Sequence, residues 1–284
     1  MAFLKRRRFV SVIGRRSQVP DGMWLKCPGC GQAITSKELH DNLMVCTHCD
    51  YHHRVSARDR IEFLLDHDTF VETHAKVHNG DPLGFVVEEV KYSYPSKVKA
   101  AEDKSGLREA IVTGFGAIEG YRLALGVMDF GFLGGSMGSA TGEKFCRLAE
   151  DAIEEKVPMI TFSSSGGARM MEGILSLMQM AKTSEAVRRM NEAGIPYVSV
   201  LTHPTTGGVF ASFSTIGDII LAEPHAHIGF AGPRLIERSL KVKLPEGFQT
   251  AEYQYGNGFI DRIVKRTEMR STLGKLVRYL SPSR

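Results

Sequence analysis

The sequence predicts an α/β domain with a small metal-stapled lobe at its N-terminal end. Two observations carry this expectation. Strand-like and helix-like segments alternate from about residue 108 onward, and four cysteines stand ahead of them in two Cys-x-x-Cys pairs. The chain has 284 residues, enough at about 150 residues per domain for one or two domains. With 43% hydrophobic and 24% charged residues it is globular, which excludes disordered and fibrous classes.

The net charge of +4 is unevenly placed. Residues 1–20 form a basic tail with six cations and no acid, whereas residues 21–284 hold 30 basic and 32 acidic side chains. The body therefore gives no reason to expect a large nucleic-acid surface. No apolar run approaches the roughly 18 residues that span a bilayer, so no membrane span is expected. Thiols paired in this way read as metal ligands in a reducing compartment, and the protein is expected to be soluble and cytoplasmic.

In the lobe, residues 21–55, Cys27-Pro28-Gly29-Cys30 is followed, after fifteen intervening residues, by Cys46-Thr47-His48-Cys49. Two such turns aim four thiolates at one tetrahedral ion, and four sulfurs favour zinc. Gly29 and Gly31 suit left-handed turn positions. A closed four-sulfur site leaves no open coordination position, so the ion is structural. His48, His52 and His53 are read as solvent-facing or supporting residues.

Residues 56–107 read as a helix followed by a linker. Ser56-Ala57-Arg58-Asp59 resembles a capping box and opens a helix with Ile61, Leu64 and Leu65 on one face. Residues 79–106, with Asn79-Gly80, Pro82 and Pro95, read as a connecting excursion. The main domain is placed at 108–284. Ile111–Ile118 and Tyr121–Met128 are expected as strands joined at Glu119-Gly120. A helix is expected over 142–156, a strand over 158–163, a helix over 167–191, a strand over 196–201 and another over 218–222.

One pattern recurs. Ile160 to Gly167 and Val198 to Gly208 each read as strand, polar turn, Gly-Gly and helix, with the glycine pairs 41 residues apart. Gly166 and Gly167, facing Gly207 and Gly208, would present bare backbone N–H groups to a developing oxyanion or enolate. Spacing alone does not separate this from glycines that only permit tight packing. Gly134-Gly135-Ser136-Met137-Gly138 matches a nucleophile elbow, with His203, His225 and His227 downstream, so a serine acyl hydrolase is one alternative. A nucleic-acid-binding zinc ribbon is the other. Gly114-Phe115-Gly116 only begins like a dinucleotide fingerprint, and the Met170, Met171, Met178 and Met180 face reads as core packing.

Together these stretches resemble the carboxyltransferase beta subunit of bacterial acetyl-CoA carboxylase. The resemblance rests on Cys-Pro-Gly-Cys-Gly with its paired Cys-Thr-His-Cys, on Gly138-Ser-Ala-Thr-Gly-Glu-Lys144, and on Ser-Gly-Gly-Ala-Arg-Met-Met-Glu-Gly at 165–173. It continues through 177–184, 201–209, 228–234 and 248–252, and covers the chain from about residue 20 onward.

The resemblance implies a crotonase-like ββα spiral with an N-terminal four-cysteine zinc ribbon. It implies transfer of a carboxyl group from carboxybiotin, held on a separate biotin carboxyl carrier protein, to acetyl-CoA, giving malonyl-CoA for fatty acid synthesis. Implied partners are an alpha subunit, in an alpha2beta2 assembly, and biotin carboxylase. Cys27, Cys30, Cys46 and Cys49 become the ligands of one structural zinc. Gly166, Gly167, Gly207 and Gly208 become the oxyanion-stabilising positions. Arg169 and Lys182 stay open between coenzyme A phosphates and helix acids. Nucleic-acid binding remains a secondary activity compatible with the ribbon.

Overall fold

A computed structural model describes residues 23–87, 92–241 and 243–281, and the basic tail lies outside them. The lobe opens with the antiparallel pair β1 (Trp24–Lys26) and β2 (Ala33–Thr35), then the single-turn helix α1 (Ser36–Asp41). Helix α2 (Ala57–Leu64) starts at Ser56, whose Oγ accepts the Asp59 N–H at 3.1 Å. Strand β3 (Val71–Thr73) follows.

The stretch 79–106 is not a plain linker. It contains the paired strands β4 (Val86–Val87) and β5 (Tyr92–Ser93) and the twelve-residue helix α3 (Tyr94–Ser105). Pro95 sits in the first helical turn, where its missing N–H has no intrahelical role. Ser93 caps that end, and Gly106 closes the other at φ 69°.

Strands β6 (Ile111–Ile118) and β7 (Tyr121–Met128) form the expected hairpin. Glu119 and Gly120 both take positive φ, 54° and 79°, the turn geometry that matches strand twist. Gly114 and Gly116 lie inside β6, not at a helix start, so the dinucleotide reading fails. A Cβ on them would overlap Val71 O and the Leu65 side chain, so their bareness lets β3 and the end of α2 close on the sheet.

The chain then runs through α4 (Ser139–Glu155), β8 (Met159–Ser165), α5 (Ile174–Glu192), β9 (Tyr197–Thr206), α6 (Gly207–Phe210), β10 (Ile219–Ala222) and β11 (Ile228–Gly229). It ends with α7 (Pro233–Leu240), α8 (Ala251–Gly256), β12 (Arg262–Ile263) and α9 (Arg266–Leu280). Three boundaries differ from expectation, the first being the start of α4 at Ser139, three residues ahead of residue 142. Helix α5 begins at Ile174, because Gly167 (φ 114°) and Gly173 (φ 52°) hold non-helical backbone around the 3-10 turn Met170–Glu172. Strand β9 continues past Leu201 because Thr205 and Thr206 gain Ile228 and Gly229 of β11 as partners.

The main sheet has the order β12-β10-β9-β8-β7-β6-β3, with β11 added beside β9. Its β3–β6–β7 end is antiparallel and the rest parallel. Strand β8 is buried at six of its seven positions, as a strand covered on both faces must be. On one face Leu125, Val127, Ile160, Phe162, Val198 and Val200 pack with Ile61, Leu64, Met269, Leu273 and Val277 of α2 and α9. On the other, Ala124, Met128, Met159 and Tyr197 pack with Phe145, Leu148, Val187 and Met190 of α4 and α5. Cys146 of α4 is buried. Among the described residues, no helix is long and apolar enough to cross a membrane.

Candidate active site and metal centre

The lobe repeats one turn twice. Cys27 N–H donates to Gln32 O and Gly31 N–H to Cys27 O, both at 2.8 Å. Cys46 N–H donates to Tyr51 O at 2.9 Å and Asp50 N–H to Cys46 O at 3.0 Å. The residue after each second cysteine, Gly31 or Asp50, takes positive φ (75° and 59°). Gly29 is not left-handed. Its requirement is room, since a Cβ there would stand 2.9 Å from Tyr51 Cβ and 3.1 Å from Cys49 Sγ.

The four sulfurs all lie within 4.8 Å of one another, with Cys27–Cys49 at 3.8 Å and Cys30–Cys46 at 4.0 Å. A tetrahedral ion with metal–sulfur bonds of about 2.3 Å needs sulfurs about 3.8 Å apart, so the donor set fits zinc. Burial pushes the Cys27 thiol up, but the Cys30 and Gly29 N–H groups bring it down to about 7. Cys49 receives the Tyr51 N–H, yet burial and the Cys30, Cys46 and Cys27 sulfurs push it up to about 12. A divalent cation between the sulfurs removes that crowding.

A buried guanidinium fastens the lobe to the sheet. Arg266, at the start of α9, donates to Leu43 O and Met44 O at 3.1 Å each and to both Glu223 carboxylate oxygens at 2.7 and 2.8 Å. Arg60 of α2 reaches Glu223 at 2.7 Å. His52 Nδ1 stands 3.6 Å from the same carboxylate. Burial pushes Glu223 up, but Arg60 and Arg266 outweigh it and hold the carboxyl well below its ordinary range. Of the three histidines expected to be peripheral, His48 is exposed, whereas the His52 side chain is buried in this contact.

The two glycine pairs meet at the carboxyl ends of β8 and β9. A Cβ on Gly207 would stand 2.8 Å from Gly167 Cα, and one on Gly167 would stand 3.2 Å from Gly207 Cα. The polar residues ahead of them lie in the strands, with Thr206 Oγ1 donating to Ser165 O at 3.0 Å. Only the second pair opens a helix. Gly166 N–H donates to Gly134 O, Gly167 N–H to Ser165 Oγ and Gly207 N–H to Phe230 O, at 2.9, 3.0 and 2.9 Å. Gly208 lies in the first turn of α6, where its N–H has no acceptor within the helix.

A cavity of about 580 Å³ reaches Ser164 and Gly134, whose carbonyl accepts the Gly166 N–H, although none of the four glycines lines it. Its wall includes Arg54, Lys97, Lys104, Gly134, Ser164 and His203. Burial, then Arg54, lowers the His203 pKa. His203 Nδ1 accepts the His227 N–H at 3.2 Å, which leaves the proton of the neutral ring on Nε2.

Ser136 does not meet a histidine. Its Oγ accepts from Arg169 Nε at 3.2 Å and its carbonyl from Arg169 Nη2 at 2.6 Å, so the hydrolase alternative lacks a base. Arg169 is fully buried, bonded to Glu109 at 2.5 Å and also to Glu172, and Lys182 pairs with Glu143. Both are thus held by acids. The methionine face is core only in part: Met180 packs against the α4–α5 cluster, whereas Met170 is 82% exposed and Met178 is also exposed, alongside Ile174 and Leu177.

Residues 52–280 match the carboxyl transferase domain family, and residues 24–49 match the acetyl-CoA carboxylase zinc finger domain. The chain is 26% identical to transcarboxylase 12S, with a TM-score of 0.66 over 78% of this chain and 41% of that one. Fold and site thus define a crotonase-like carboxyl transferase carrying a zinc ribbon. The acetyl-coenzyme A carboxylase carboxyl transferase subunit beta of Opitutus terrae is 53% identical over 263 residues, 93% of this chain and 89% of that protein. That of Carboxydothermus hydrogenoformans is 48% identical over 281 residues, 98% of each. The chain belongs to this beta-subunit family.

Proposed function

We propose that this chain is the beta half of a biotin-dependent carboxyltransferase that converts acetyl-CoA to malonyl-CoA in the cytoplasm. Carboxybiotin, carried on a separate protein charged by biotin carboxylase, supplies the carboxyl group as a substrate. The observation that carries the reading is the contact of two glycine pairs at adjacent strand ends beside a cavity with cationic walls. Gly208 offers its N–H directly. Gly167 offers one now shared with the Ser165 hydroxyl, and Gly166 and Gly207 keep the approach free of side chains. Bare donors fixed at this position would stabilise a thioester enolate without reorganising. The cavity would take the acyl-CoA, with Lys97, Lys104 and Arg54 toward its phosphates.

His203, in the cavity wall, has its Nδ1 occupied by the His227 N–H, which suits a site completed by an alpha subunit. The exposed row Met170, Ile174, Leu177 and Met178 is the proposed docking face for that subunit. The test is to purify the chain with its cellular partners and assay acetyl-CoA-dependent malonyl-CoA formation. Gly167→Val in that complex should lower turnover by about 10²–10³ while zinc content and assembly stay unchanged. Full activity of a folded Gly167→Val complex would remove the glycines from the mechanism.

A further inference from the structure

A second cavity, of about 430 Å³, shares no lining residue with the first. Its wall carries four cationic side chains, Arg58, Lys76, Arg108 and Lys144, against two carboxylates, Glu72 and Glu109. Both carboxylates are already engaged: Glu72 by Arg58 at 3.3 Å, Glu109 by Arg169 at 2.5 Å and by Thr141 at 2.9 Å. Lys144 is only 3% exposed, and its ammonium has no hydrogen-bond or ion-pair partner among the described residues. Burial lowers its pKa, and Glu72 and Glu109 offset this only in part. A buried cation without a partner is unfavourable unless negative charge is brought to it.

We propose that this cavity binds a small phosphorylated molecule, with the phosphate between Lys144 and Arg108. The excess of two cations matches a phosphate dianion, and the volume falls in the range that holds an organic ligand rather than the anion alone. Leu107 contributes apolar floor for the remainder of the ligand. The site adjoins the reaction loop: Glu109 holds Arg169, whose N–H donates to Met137 O, and Met137 N–H donates to Gly167 O.

The test is calorimetric titration of the full, zinc-loaded chain with inorganic phosphate and with pyrophosphate. Both should bind, more weakly as salt rises. Lys144→Met should weaken binding at least about tenfold, as expected for loss of a charge-assisted hydrogen bond, and Lys144→Arg should retain it. Arg108→Ala, at an exposed position, should also weaken binding and serves if the Lys144→Met chain does not fold. Saturating coenzyme A distinguishes the source. Loss of the phosphate signal assigns the anion to the substrate's own phosphates, and an unchanged signal assigns it to a separate ligand. No binding at millimolar phosphate or pyrophosphate, or unchanged affinity in the folded variants, overturns the proposal. Failure of malonyl-CoA formation would leave these titrations untouched.

Discussion

The sheet domain buries Phe132, Phe145, Phe162 and Phe213 among interlocking aliphatic residues, and its apolar clusters reach no further toward the N-terminus than Ala57. The ribbon has only Ile34, Leu39 and Val45 buried besides two of its cysteines. The body can therefore stand on apolar burial. The ribbon is too small for that, and what gathers it is a four-sulfur cluster that fits an ion, together with the Arg266 clamp. The two regions should therefore fail under different insults.

The largest expected effect is on the ribbon alone. Structural zinc contributes about 10–16 kcal/mol in isolated modules, so chelation or Cys46→Ser should collapse the amide signals of residues 24–49 while the sheet keeps its own thermal transition. A ribbon that stays ordered without metal would break the comparison. Next comes the clamp. Glu223→Gln leaves two buried guanidinium groups short of an anion and should cost about 3–5 kcal/mol, read as a lower Tm with zinc stoichiometry preserved.

Acid should act in the same direction. Because the folded pKa of Glu223 lies below the unfolded one, its stabilisation is complete above the ordinary carboxylate range and is lost as pH falls through the folded value. Differential protection of Leu43 and Met44 amides across that range measures it. The smallest effect belongs to Lys265, whose exposed ion pair with Asp50 at 2.6 Å also links ribbon and body. Lys265→Ala should leave Tm unchanged, because both partners are already in water. A drop as large as that of Glu223→Gln would mean that the surface pair carries the contact.

Much of this was legible in the chain. Alternating and apolar runs placed β6, β7, β8 and β10 within a residue or two, because strand periodicity is local. The Glu119-Gly120 turn and the Ser56 cap were equally local signals. The α3 helix is hidden in the sequence because a proline signals a turn there, whereas Pro95 stands in the first turn of the helix. Periodicity alone does not locate the start of α5, because it does not register the φ of Gly167 and Gly173. The clamp left a weaker trace: Arg60, Glu223 and Arg266 are scattered singly, and nothing in their spacing joins them.

By itself the sequence determined the four-cysteine cluster of the ribbon, the alternation of strands and helices, and the family, since each depends on residues near one another in the chain. Tertiary structure alone decided that Gly167 touches Gly207. It also decided that Arg266 holds the carbonyls of Leu43 and Met44 across more than two hundred residues, and that Lys144 is buried without a partner. Such contacts are fixed by sheet order and helix packing, and no local pattern encodes which strand ends will lie side by side.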